Sequence, residues 1–241
     1  MLNMPDNVRE ALSFLGKIQL FEAFVDQQEK QITEYSRNFD QYIEQYSVEK
    51  YAYPGMGKDE EGIYIDQVNH ISGISEEDYD LQSIFTELMP TYQRRSILIT
   101  LFSTFEVALK NLLFAHAETI GRSFNVKKSK EQKNISVLEH WLNQAMDFGM
   151  ELQPTDTSID IFADIHCLRL VRNSFVHDDG MKPNSELKGY IQRNPHLNTN
   201  GSQITMESKY VIYAASRLKI FAETLIRECL KTRSMKTTAT T

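Results

Sequence analysis

The sequence predicts an all-α fold: an antiparallel helical bundle with a long N-terminal helix and one small irregular or hairpin insertion. Three observations lead there. Apolar side chains recur with the helical period through most of the chain, cap and stop residues bracket those runs, and strands do not alternate with helices as a nucleotide-binding α/β fold requires. The 241 residues, 41% hydrophobic and 24% charged, suffice for one sizeable core.

Asp6 is a good N-cap, and from it to about Tyr51 steps of three and four pass through Ala11, Phe14, Ile18, Phe21, Val25, Gln28, Ile32, Tyr35, Phe39, Tyr42 and Tyr46. Only Gln28 interrupts this seam. It fits one long helix lying on its own domain, and it equally fits a pairing surface for a second chain. The pattern breaks at "YPGMGKDEEG" and "HISGIS", where proline, glycine and charge signal a loop or short extended piece. Residues 1–75 therefore read as a helix plus loop, a dimerisation or regulatory extension, and residues 76–233 as the bundle.

Ser75 restarts a helix in "SEEDYDLQSIFTELMP", with Pro90 interrupting it or opening the next. "TYQRRSILITLFSTFEVALKNLLFAHAETIG" is a strongly apolar helix stopped at Gly121, central to the core. A lysine-rich loop leads to the amphipathic "NISVLEHWLNQAMDFG". "QPTDTSID" supplies cap residues for a helix from about Ser158 to His177, which "DDG" closes. Met181 to Met206 is polar and turn-rich, with Asn200-Gly201 suited to a small hairpin. A last helix runs from Tyr210 to Lys231, and residues 234–241 are expected to fray as a flexible tail.

Net charge is −7 and the pI is near 5.4, which argues against a broad electrostatic surface for duplex nucleic acid but leaves room for a small basic cleft. The clustered cations are Lys127, Lys128, Lys130 and Lys133, then Lys182, Lys188 and Arg193. With no charged-then-apolar leader and no obvious membrane span, "SILITLF" being too short, the chain reads as soluble and cytoplasmic. Cys167 and Cys229 sit in apolar helical patterns and read as reduced core thiols.

Several partial motifs fail on their chemistry. "GMGKD" lacks the first glycine of a phosphate-binding loop and puts Asp59 where a hydroxyl should hold magnesium. "HAE" at 116–118 matches half of a zinc deaminase signature with no Pro-Cys-x-x-Cys after it. The six histidines show no ligand spacing, so neither a metal nor another cofactor is expected.

What remains is "LRLVRNSFVHDDG", residues 168–180. At about 100° per residue, Ile161, Ile165, Leu168, Phe175 and Val176 define a buried stripe with Arg172 almost in its middle. A charged arginine there needs a carboxylate, a chain of hydrogen bonds or an aqueous cleft. His177 lies roughly 140° around the helix from Arg172, so the two cannot converge on one small group within one straight helix. Either Arg172 pairs with an acid such as Glu106 while His177 suits the helix C-terminus, or the helix end bends or a second copy brings its own pair across a two-fold axis to make one composite cleft.

Arginine, then a polar residue, then a histidine four to six positions on at a helix end resembles the signature of the HEPN superfamily; Arg172, Asn173 and His177 fill those places. The resemblance spans Thr91 to Lys231 and includes an E-x3-K spacing at Glu106 and Lys110. It implies a metal-independent endoribonuclease acting on RNA as a homodimer with two motifs in one cleft, in phage defence or as a toxin. Arg172, His177 and Asn173 would be catalytic and Glu106, Lys110 and Arg169 supporting, with a protein inhibitor or regulator as a possible partner. The family also includes non-catalytic interaction or nucleotide-sensing modules, the alternative implied for this chain.

Overall fold

The computed structural model describes residues 4–52, 62–153 and 160–238, with side chains to residue 231. It is mixed α/β, with 66% helix and 14% strand in two small antiparallel sheets. This corrects the all-α expectation. Most of the loop read at "YPGMGKDEEG" and most of "QPTDTSID" lie outside the described residues.

Helix α1 spans Asp6–Arg37, followed by a 3-10 turn at Phe39–Tyr42 and strands β1 (Glu44–Ala52), β2 (Gly62–Ile71) and β3 (Ile74–Ser75). A short helix α2 (Leu81–Ser83) continues through a π-helical turn, Ile84–Leu88, into α3 (Met89–Thr119). The π turn lies just ahead of Pro90, which has no N–H to donate and whose ring crowds the carbonyl one turn back, so widening the turn relieves it. Then come α4 (Val137–Asp147), α5 (Ile161–Asp178), α6 (Ser185–Arg193), strands β4 (Leu197–Asn200) and β5 (Gln203–Met206), and α7 (Ser208–Thr238). The stretch from 234 expected as a tail is helical as far as Thr238.

The chain divides into two compact units, residues 28–93 and residues 1–27 with 94–241. In the smaller unit β1 pairs antiparallel with β2, Glu44 opposite His70 through Ala52 opposite Gly62. Helical step-counting had carried the N-terminal helix to about Tyr51. Its apparent hits at Phe39 and Tyr42 lie in the 3-10 turn, and Tyr46 is an aromatic residue of a strand, where from Glu44 the backbone alternates faces. Ser72 and Gly73, both at positive φ, make the tight turn from β2 to β3. Ile71, Leu81 and Phe85 form the buried centre, with Tyr35, Phe39, Ile43, Ile74 and Ile84 packed on it.

The larger unit is built on α3. Phe105 is fully buried, its ring 5.7 Å from Phe14 of α1, 5.6 Å from Phe102 and 5.9 Å from Phe221 of α7. The N-terminal seam is buried within its own chain at Ala11, Phe14, Ile18, Val25 and Ile32, so those positions pack the fold itself. Leu81–Thr119 is long and apolar enough to cross a membrane by length and composition, which the sequence reading had missed; half of its most apolar window is buried inside the protein. Hairpin β4–β5 turns on Gly201 and Ser202, one residue later than the Asn200-Gly201 reading, because Gly201 at φ +60° supplies the left-handed first position.

Phe105 thus joins α3 to α1 and α7. Phe105→Ala is expected to lower unfolding stability by about 3–5 kcal/mol, read as a drop in the urea midpoint; a loss under about 1 kcal/mol would contradict this packing.

Candidate active site

Helix α5 begins with the Asp160 side chain accepting from the Ala163 N–H at 3.0 Å, an N-cap that satisfies one of the first free donors. Its other end is closed by Asp179 at φ +51° and Gly180 at φ +73°, with the Gly180 N–H donating to the Ser174 carbonyl at 2.9 Å. Acidic residues at a helix C-terminus oppose the helix dipole, so this end needs a cation. Arg95 of α3 supplies it. Only 4% exposed, Arg95 donates to Asp179 Oδ1 at 2.7 Å and to the Ile204 carbonyl at 3.4 Å, and its guanidinium lies 4.9 Å over the Phe175 ring.

The backbone then joins the hairpin. The Ile204 N–H donates to the Gly180 carbonyl at 2.9 Å and the Lys182 N–H to the Ser202 carbonyl at 3.0 Å. The end of α5 is therefore held from α3 and from β5 together. That end carries His177.

The buried face of α5 comprises Ile161, Ile165, Cys167, Leu168, Val171, Ser174 and Phe175, while Val176 is 45% exposed. This corrects the expected stripe: its centre lies near Leu168, Val171 and Phe175, and Arg172 stands at its edge. The Arg172 side chain is 22% exposed. It donates to Asn173 Oδ1 at 2.8 Å and to Ser103 Oγ at 3.2 Å, and lies 3.6 Å from Glu106 Oε2.

Burial pushes the Glu106 carboxyl above the usual carboxylate range, and the nearby Arg172 and Arg169 pull it back in part. The separation of 3.6 Å fits an ion pair without a short charge-assisted hydrogen bond. The Nε atoms of Arg172 and Arg169 are buried with no hydrogen-bond partner among the described residues. Arg169 also lines a cavity of about 270 Å³ with Phe162, Ile165 and His166.

Arg172, Asn173, Glu106 and Arg169 are thus brought together, and two of the expected site residues are not. His177 is exposed, with no hydrogen bond or ion pair among the described residues. Lys110 follows Glu106 by one turn but lines a cavity of about 480 Å³ with Asp6, Arg9, Glu10 and Glu118. The E-x3-K spacing therefore does not put both side chains at Arg172.

Sequence reasoning missed Ser103 and Arg95. Ser103 lies three residues before Glu106 and so on the same face of α3, a neighbour findable once Glu106 was chosen. Arg95 heads the apolar run "SILITLF", where a charge must find a partner, but nothing local names Asp179. Among the described residues no group of three or more His, Cys, Asp or Glu side chains stands together as a metal-binding set. No protein-family model, curated protein or solved structure matches this chain.

Two glycine substitutions separate the cap from ordinary helix. A Cβ on Gly180 would meet Phe175 Cε1 at 2.7 Å in a left-handed conformation, whereas one on Gly16, inside α1, meets nothing within 4 Å. Gly180→Ala is expected to destabilise by at least about 1 kcal/mol, and Gly16→Ala to stabilise by about 0.5–1 kcal/mol, both read from urea midpoints; equal effects would contradict the cap geometry.

Proposed function

We propose that this chain is a metal-independent endoribonuclease using the R-N-x3-H motif of HEPN proteins, working as a homodimer in the cytoplasm under a protein regulator, in phage defence or as a toxin. The observation that carries the reading is the division of labour along α5. Arg172 is half-buried and oriented by Asn173 and Ser103, and His177, five residues on, is exposed. A pair divergent on one chain is completed when a second copy presents its histidine to the first copy's arginine.

RNA brings its own nucleophile. Arg172 presents a planar fork that binds and neutralises a phosphodiester. The 2′-hydroxyl attacks the adjacent phosphorus, its proton passing to one histidine acting as base. Negative charge gathers on the phosphorane oxygens, where a guanidinium is worth most. The P–O5′ bond breaks and the leaving oxygen takes a proton from the acid form of an imidazole. The products are a 2′,3′-cyclic phosphate and a 5′-hydroxyl, with no water consumed. Asn173, accepting from Arg172, aims the guanidinium.

A second reading is a non-catalytic helical dimer serving interaction or nucleotide sensing. Glu106 favours it, because a carboxylate 3.6 Å from Arg172 already compensates the charge that a phosphate would take. The two readings separate with purified protein and mixed RNA in EDTA. The nuclease reading predicts fragments ending in cyclic phosphate, and a rate loss of about 100-fold or more in His177→Ala with unchanged thermal unfolding. Intact RNA, or normal cleavage by His177→Ala, contradicts it.

A further inference from the structure

Beyond the motif, one cavity has the charge and position to hold more of the same substrate. It lies between α6 and the β4–β5 hairpin, has a volume of about 580 Å³, and is lined by Lys182, Lys188, Gln192, Thr199 and Ser202 over a floor that includes Ile191. Among the described residues that line it none is acidic, although the chain as a whole carries −7. None is aromatic either. Two cations, an amide and two hydroxyls suit phosphate and ribose oxygens, and nothing there stacks a base.

The backbone supports a built feature. Lys182 sits at φ +52°, a conformation that side chains other than glycine rarely adopt, and its N–H is tied to the Ser202 carbonyl at 3.0 Å. Gly201 at φ +60° opens the hairpin turn, which also lines the cavity. Lys182 follows His177 by five residues, so its backbone is at most about 18 Å away. The cap held by Arg95 lies between them.

We propose that this cavity is a phosphate-binding subsite for the sugar–phosphate backbone of single-stranded RNA flanking the scissile bond. The inference rests on the RNA reading of α5. Contacts of this kind position a strand without reading its sequence, so affinity gained here depends on salt and not on base identity.

The test uses the full chain and a fluorescent single-stranded RNA, 2′-O-methylated so that it carries no nucleophile. Lys182→Asn with Lys188→Gln removes both charges, and asparagine tolerates the left-handed backbone. The double variant is expected to unfold at the wild-type temperature, to bind the RNA about ten-fold more weakly at low salt, and to reduce the slope of log affinity against log salt by about 1.4. Wild-type affinity and slope in the variant overturn the proposal, as does a wild-type chain that binds no RNA. Equal lysine dependence for a lone nucleoside monophosphate, with no gain for RNA, also overturns it. With unmodified RNA of the same sequence in EDTA as the cleavage arm, lysine-dependent binding by a chain that cuts nothing supports an RNA-backbone subsite and defeats the nuclease reading, and cleavage with lysine-independent binding does the reverse.

Discussion

The larger unit depends on how one buried arginine is satisfied. Arg95 is nearly inaccessible, and an uncompensated charge in that position would cost several kcal/mol. Its partners, the Asp179 carboxylate, the Ile204 carbonyl and the Phe175 ring, come from the end of α5 and from β5. One side chain of α3 thereby ties the end of α5 to β5 of the hairpin. Gly180 fits this junction because a Cβ there would strike Phe175.

The proposed sites lie on either side of that junction along the chain. Upstream, α5 is held in the rotation that buries Leu168 and Val171 and leaves Arg172 at the edge of the core beside Ser103 and Glu106. Downstream, Gly180 and Lys182 are hydrogen-bonded to Ile204 and Ser202 of the hairpin, and Lys182 lines the cavity that α6 and the hairpin share. The exposed His177 lies between these places. Glu106 has two effects: it compensates Arg172 in the folded chain, and it competes with any phosphate that arrives. Burial raises the Glu106 carboxyl, and the neighbouring Arg172 and Arg169 draw it back in part.

Much of the helical structure was legible because it rests on local rules. Asp160 caps α5, Ser136 caps α4, and glycine follows the ends of both. The β4–β5 hairpin was legible to within a residue from Asn200-Gly201, but β1 was not, because Tyr46 continues the helical count while pairing with β2 is decided from a distance in sequence. The Glu106 partnership was legible from Arg172's need for an acid. The exact rotation of α5 was not: Val176 is apolar but exposed, and placing it in the stripe drew the inferred centre toward Arg172. Lys110 had the right spacing and the wrong surroundings, since its own cavity faces residues of α1.

The central claim is that Arg172 and His177, divergent on one helix, serve one site from two chains. Subunit mixing tests it most directly. Arg172→Ala and His177→Ala chains, each inactive alone, are unfolded together, refolded at equal amounts, and assayed for cyclic-phosphate ends on RNA in EDTA. The account predicts that the mixture regains activity, because a mixed dimer joins the arginine of one chain to the histidine of the other. A mixture that forms mixed dimers and stays as inactive as its parents contradicts it.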